Sequence, residues 1–212
     1  MRILITREHL DQRSREFARV HYMTLVSVMK GVALYSAATT MWAFLSDGLR
    51  WLSLMSWIAS FLGMILTYEA NMYGTLLMVW RPTWVDIVPA FALGVAEYLL
   101  FLIARESTSW WFCLFGIWAF LGGSLAYHAR VRLESQLYAE EIQGVLKNYL
   151  NHQRSDNKSA LLTSSVFIIA ALCLNLFVIP IFFQYVLAAI AIGIMGYVIA
   201  HQEAIGSDLW TQ

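Results

Sequence analysis

Three charged residues interrupt otherwise apolar stretches of this chain: Lys30, Asp86 and Glu97. A charge inside a bilayer is costly, so such groups pair with one another, become protonated or face water. Asp86 and Glu97 are eleven positions apart, a spacing that puts both on one face of a helix. Lys30 can reach either carboxylate if its own helix runs alongside. These residues predict either a structural ion pair or a charge-compensated gate or proton site.

The three residues differ in their predicted depth. At a rise of about 1.5 Å per residue, Glu97 lies about 20 Å from the start of its apolar stretch and Lys30 about 12 Å from the start of its own. Asp86 lies near one edge, where water can hydrate it. We therefore expect Glu97 to be the candidate for a functional charge and Asp86 to be structural.

Three histidines, His21, His128 and His201, fall at the ends of apolar stretches on one predicted side. Imidazole binds metals and titrates near neutrality, so their convergence would create a metal site or a pH sensor. Separate hydrated histidines explain the same positions with fewer assumptions. The chain has no Gly-x-Ser-x-Gly, no His-Glu-x-x-His and no phosphate-binding glycine loop. The sequence predicts a non-enzymatic protein without a cofactor or metal.

Six apolar stretches of about membrane-spanning length contain or flank these residues. A helix needs roughly 20 apolar residues to cross a hydrocarbon core of about 30 Å. The chain is 59% hydrophobic and 13% charged, which leaves no room for a large soluble domain. We therefore predict an all-α polytopic membrane protein of one domain, with six transmembrane helices in three hairpins. The candidate spans are residues 22–46, 51–68, 83–104, 109–128, 160–178 and 181–200.

Basic residues set the predicted orientation. Eleven Lys and Arg residues lie on one side of the spans and two, Arg50 and Arg105, on the other, with Lys30 inside a span. The positive-inside rule places the richer side, and with it both termini, in the cytoplasm. The predicted location is a bacterial inner membrane. The formal net charge of zero gives no reason to expect direct nucleic-acid binding.

The predicted cytoplasmic side carries most of the polar residues. We predict an amphipathic N-terminus at residues 1–21 that is helical from Thr6 to Val20. We also predict a helical extension at residues 129–159, between spans 1–4 (22–128) and spans 5–6 (160–200), and a tail at residues 201–212. Five apolar residues of the extension recur at roughly helical spacing, a stripe that a lone helix cannot bury. It either folds back on cytoplasmic segments or the bilayer surface, or docks a partner. The stripe consists of Leu133, Leu137, Ile142, Val145 and Tyr149.

Two further segments depart from the regular pattern of apolar spans. Residues 155–159, Ser-Asp-Asn-Lys-Ser, are typical of a mobile linker into the fifth span. Residues 69–82 either continue the second span or return along the interface as a short amphipathic or re-entrant piece. Gly74 and Pro82 favour the second alternative, because both interrupt helices.

Small side chains form a stripe on two of the predicted spans. Helices in membranes associate largely through close backbone packing, which such stripes permit. The stripes predict contacts either inside one subunit or between subunits of a homo-oligomer. Their members are Gly116, Ala119, Gly123 and Ala126 in the fourth span, and Ala189, Gly193, Gly196 and Ala200 in the sixth.

Two functions fit these patterns. Small size, short outer connections and polar residues gathered on one side favour a non-enzymatic integral membrane subunit of a larger assembly. Such an assembly, of secretion, conjugation or membrane-acting defence type, would include a soluble cytoplasmic partner docked on residues 129–159. The alternative is an oligomeric ion channel or a proton-linked transporter of small solutes that uses Glu97. We expect the first function, and in either case a bilayer-embedded homo-oligomer.

Overall fold

The computed structural model describes residues 7–48, 50–77, 83–135, 140–177 and 179–210. This part of the chain forms six α-helices and no strand, which confirms the predicted all-helical fold. Five of these helices, α2 to α6, are long and apolar enough to cross a membrane. The chain is a multi-pass integral membrane protein. The helices are α1 (Arg7–Asp47), α2 (Trp51–Leu77), α3 (Trp84–Glu106), α4 (Thr108–Glu134), α5 (Glu140–Leu176) and α6 (Ile181–Trp210).

Helix α1 is long enough to cross a membrane, but its described residues are not apolar enough for it to count among these five. It is one helix of 41 residues and joins the region predicted as a separate amphipathic helix to the predicted first span. Two of its polar residues are buried against α3, where Ser36 Oγ donates to the carbonyl oxygen of Tyr98 and Thr40 Oγ1 to that of Phe101. Ser36 and Thr40 therefore lower the hydropathy of α1 but face a neighbouring helix.

Both segments that depart from the regular pattern of apolar spans are helical in the parts that the structure describes. Helix α2 continues to Leu77 with Gly74 buried inside it, so the interfacial alternative was wrong for residues 69–77, and residues 78–82 lie outside the described part. Helix α5 runs without a break through residues 155–159, so the linker prediction was also wrong. Asn157 is buried there, which shows that packing with other helices overrides the weak helix propensity of such residues.

Successive helices run in opposite directions because their connections are short. The starts of α1, α3 and α5 and the ends of α2, α4 and α6 lie together at what we call the basic end, which includes Arg19, Arg130 and Arg132. At the opposite end, Gly48 has φ +91°, a left-handed conformation that suits glycine at the turn between α1 and α2. Arg105 of α3 forms an ion pair there with Asp47 of α1.

The core lies between α4 and α5, which have the most extensive packing of any helix pair in the described part. Gly116 permits this contact, because a Cβ atom at that position would lie 2.7 Å from Ile168 Cγ1. Helix α1 packs mainly on α3, and α6 packs on α2 more than on its chain neighbour α5. The centre of the core is aromatic and fully buried, with Trp111, Phe112 and Phe115 of α4 and Phe167 of α5.

Candidate functional site

Lys30 of α1 and Glu97 of α3 form an ion pair inside the helix bundle. Lys30 Nζ lies 2.5 Å from Glu97 Oε1 and 2.6 Å from Oε2. The Glu97 side chain has no exposed area and that of Lys30 is 13% exposed. The two helices approach closely because Gly94, one turn before Glu97, lacks a Cβ atom that would lie 2.8 Å from Met29 Cβ.

Two further side chains complete what we call the charged centre: Lys30, Thr67, Glu97 and Trp118. Thr67 Oγ1 of α2 accepts a hydrogen bond from Lys30 Nζ and lies 2.5 Å from Glu97 Oε1, to which it donates. Trp118 Nε1 of α4 donates to the same oxygen at 3.4 Å. Four helices thus contribute one residue each. The polarity of Thr67 within an apolar span was a sequence signal for its role, whereas nothing set Trp118 apart from the other tryptophans.

Asp86 lies apart from the charged centre, at the basic end. Its Oδ2 atom accepts hydrogen bonds from Thr83 N and Thr83 Oγ1, both at 2.7 Å, and from Arg132 Nη1 at 2.8 Å. The carboxylate therefore caps the start of α3 and ties it to the end of α4. Of the two carboxylates within predicted reach of Lys30, Glu97 is the one that binds it, because α1 and α3 are adjacent at that level.

A cavity of about 90 Å³, which we call the mouth cavity, lies at the basic end. Its polar lining includes Tyr22, Asn71, Asp86 and Arg132. Tyr22 Oη donates to Asn71 Oδ1 at 2.9 Å, which joins α1 to α2 beside it. Thr67 of the charged centre also lines this cavity. The mouth cavity therefore reaches the charged centre at Thr67, whereas neither Lys30 nor Glu97 lines it.

A second cavity, of about 100 Å³, lies between α2, α4, α5 and α6. We call it the amide cavity, because Gln153, Asn157 and Gln202 line it. Thr67 lines this cavity too. The charged centre is therefore next to both cavities. Their walls share Thr67, whose hydroxyl contacts both charges, together with Ala70, Gly122, Ala126 and Gln153.

The three histidines have different neighbours and do not form one cluster. His21 Nδ1 donates to the carbonyl oxygen of Phe17 at 2.9 Å, and the His201 ring stacks on Tyr197 with 5.7 Å between centroids. His128 is exposed and lines the mouth cavity. Among the residues that the structure describes, no group of three His, Cys, Asp or Glu side chains is arranged to hold a metal ion.

The two stripes of small residues have different surroundings. In α4, Gly116, Ala119 and Gly123 are buried and Ala126 is half-buried, and a Cβ at Gly123 would lie 3.0 Å from Ala160 Cβ of α5. This stripe packs inside the subunit. The stripe on α6 is exposed, and nothing lies within 4 Å of a Cβ added at Gly193 or Gly196. Its four members are Ala189, Gly193, Gly196 and Ala200.

The apolar stripe predicted to dock a partner is only partly described. Leu133, at the end of α4, is 1% exposed and contributes to the interior of the protein. Leu137 lies outside the described residues. Ile142, Val145 and Tyr149 belong to α5, but their side chains are outside the description. A docking surface here would therefore exclude Leu133, and its other members remain a prediction.

No protein-family model matches this chain, and comparisons with curated proteins and with solved structures also gave no match.

Proposed function

We propose that this protein is a proton-linked transporter of a small polar solute, in which the charge state of Glu97 controls the charged centre. The observation that carries the proposal is the position of Thr67. Its hydroxyl contacts both Lys30 and Glu97, and its side chain lines both the mouth cavity and the amide cavity. A change of charge at Glu97 is therefore communicated directly to the walls of both cavities.

Elementary electrostatics couples the charge of Glu97 to the geometry of the charged centre. The attraction between Lys30 and Glu97 is strong because neither charge is well solvated. Protonation of Glu97 removes that attraction and leaves a buried ammonium group without a counter-charge, which is an unfavourable state. Lys30 and the Thr67 hydroxyl then rearrange toward the cavities. Proton binding and cavity shape are thereby coupled, as proton-linked transport requires.

Purified protein in liposomes tests this function. We expect wild-type protein to carry protons, measured with an entrapped pH-sensitive dye, and Glu97→Gln to abolish the flux, because the amide keeps the shape of the side chain but has no ionisable proton. Glu106→Gln is the matched control, since Glu106 is an exposed carboxylate on the same helix. Equal flux through wild-type protein, Glu97→Gln and protein-free liposomes would contradict the proposal.

We also propose that the chain crosses the membrane six times. Helix α1 lies beside α3 and contributes Lys30 to a centre buried among three apolar helices, so we propose that its second half, residues 22–46, is the sixth span. The excess of basic residues supports a cytoplasmic basic end and cytoplasmic termini, in a bacterial inner membrane. The exposed small-residue stripe of α6 supports association with further copies of the chain.

A docking role is the second candidate, and the length of α5 favours it. Helix α5 begins at Glu140, and Gln153 is the first of its described residues that is buried. Residues 140–152 therefore extend the helix by about 20 Å ahead of Gln153. Such a projection is suited to docking a soluble protein of a secretion, conjugation or membrane-acting defence assembly.

The double variant Leu137→Glu with Val145→Glu tests docking. If this projection binds a partner through its apolar stripe, two buried charges oppose the contact and the partner no longer co-purifies, while membrane insertion is unchanged. Asn151→Glu, at an exposed position of the same helix, is the control. Unchanged activity of the double variant at normal expression would show that the projection is a dispensable surface helix.

A further inference from the structure

The amide cavity contains buried side chains without hydrogen-bond partners. Asn157 of α5 is 6% exposed, and neither Oδ1 nor Nδ2 has a partner in the described part of the protein. Gln202 of α6 is 8% exposed, and its Oε1 atom is likewise unpartnered there. Buried polar groups are nearly always hydrogen-bonded in folded proteins, and leaving one unpaired costs stability. Two such groups lining one cavity indicate that the cavity is built to receive a polar ligand.

The charge of the residues lining the cavity limits the chemical class of the ligand. Asp156 is the one ionisable residue among the described residues lining the amide cavity, and the other polar residues there are neutral amides and hydroxyls. A carboxylate in the wall of the same cavity as Asn157 and Gln202, whose amide oxygens are unpartnered in the described part, favours a positively charged ligand. An ammonium group matches this lining because it has three N–H donors and no acceptor.

The unpartnered Nδ2 group of Asn157 adds a second requirement. It is a donor, and neither an inorganic cation nor a simple ammonium ion offers it an acceptor. A ligand that has a hydroxyl or carbonyl oxygen beside the ammonium group satisfies both atoms of the amide. Apolar wall residues, including Trp118 and Val198, leave room for a short carbon chain between the two polar groups.

The volume of the amide cavity limits the size of the ligand. The cavity volume is about 100 Å³. A cavity of roughly 150 Å³ holds a benzene molecule, and each water needs about 10–15 Å³ on a comparable measure. In proportion, a cavity of about 100 Å³ holds a ligand of about four non-hydrogen atoms.

We infer that the amide cavity binds a small organic ammonium compound that also carries a hydrogen-bond acceptor, such as a short amino alcohol. Asp156 and the amide oxygens of Asn157 and Gln202 receive the ammonium group, and Asn157 Nδ2 donates to the acceptor. The inference rests on the proposed function in one respect, since it names the solute that would be carried. Binding itself is independent of transport.

Ethanolamine hydrochloride is the probe, with sodium chloride and ethylene glycol at matched concentrations as controls. We expect a saturable rise in the melting temperature of detergent-purified wild-type protein with ethanolamine and no comparable rise with either control. Isothermal titration should show that Asn157→Leu weakens binding about tenfold or more, the usual effect of losing a hydrogen bond to a charged ligand. Asn175→Leu, on the same helix but at its other end, should bind like wild type.

Folding is not expected to limit this experiment, because Asn157 makes no hydrogen bond in the described part that its replacement would remove. Gln202→Met is the second variant and should also weaken binding. Absence of ethanolamine binding by wild-type protein, or equal binding by wild type and both variants, would overturn the inference. An equal response to sodium chloride would also overturn it, because the site would then be one for an inorganic cation.

The two proposals fail in different ways. Ethanolamine binding that depends on Asn157, together with proton flux that is indifferent to Glu97→Gln, would leave the ligand site standing and refute the proton-linked function. Proton flux that depends on Glu97, without any ethanolamine binding, would support the proton-linked function and refute the ligand site.

Discussion

At the scale of the residue, the unusual feature is an ion pair inside the helix bundle, in which Glu97 is fully buried and Lys30 largely so. A buried pair with good geometry roughly offsets the cost of desolvating its two charges, so it adds little net stability compared with an apolar pair of the same shape. Breaking the pair, in contrast, strongly destabilises the protein. Removal of one partner leaves the other charge buried without compensation.

The charge balance at Lys30 and Glu97 yields a stability prediction. Lys30→Met and Glu97→Gln should each destabilise the protein by about 3–5 kcal/mol, because each strands a buried charge or removes its partner. The double variant should recover most of the loss. Thermal unfolding of the purified protein in detergent, for wild type, both single variants and the double variant, measures this coupling.

A matched control uses the exposed ion pair at the opposite end of the bundle. Arg105→Met should cost about 1 kcal/mol or less, because the side chains of Arg105 and Asp47 are 44% and 55% exposed and water screens their attraction. Single variants at Lys30 and Glu97 that are as stable as wild type and leave every flux unchanged would deprive the charged centre of both a structural and a functional role.

At the scale of the helix, similar stripes of small residues have different positions. The stripe of α4 faces α5, where Gly116 lies against Ile168 and the backbone of Ser164. The stripe of α6 faces away from the subunit. Spacing along the chain predicts that a helix can be approached closely, but it does not say by which helix.

This difference leads to a paired prediction for Gly116 and Gly193. Gly116→Ala should destabilise the protein by about 1–3 kcal/mol, because the new methyl group meets both side-chain and backbone atoms of α5. Gly193→Ala should be neutral or stabilise by about 0.5–1 kcal/mol, because alanine is the better helix former and the position is open. Denaturation in mild detergent compares the two variants, and equal losses would contradict the packing described for α4.

At the scale of the whole molecule, the bundle is polarised along its axis. Charged and polar side chains, both cavities and the long projections of α1 and α5 lie toward the basic end, whereas the opposite end consists of short turns flanked by exposed aromatic residues such as Trp51 and Trp110. Tryptophans at such positions anchor helices at the membrane interface. The two ends are therefore suited to different environments.

Single cysteines placed at the two ends test the orientation. In a background without Cys113 and Cys173, a membrane-impermeant thiol reagent should label Ser107→Cys on intact cells and Ser155→Cys only after permeabilisation. Ser107 joins α3 to α4 at the turn end, and Ser155 is exposed near the basic end. The expectation follows from the bias of Lys and Arg toward the cytoplasm, and the opposite labelling pattern would reverse the proposed topology.

Hydropathy and charge along the chain were enough to predict an all-helical, multi-pass membrane protein. They also identified Lys30 and Glu97, because the length of an apolar stretch and a charge within it are local properties. Only the tertiary structure decided that Glu97 rather than Asp86 binds Lys30, that Thr67 and Trp118 join them, and that Asn157 and Gln202 line one cavity. It also decided that residues 69–77 and 155–159 are helical, because contacts with other helices outweigh the local preferences of Gly74 and Asn157. These outcomes depend on which helices become neighbours, and that choice rests on packing between distant segments, which no local periodicity encodes.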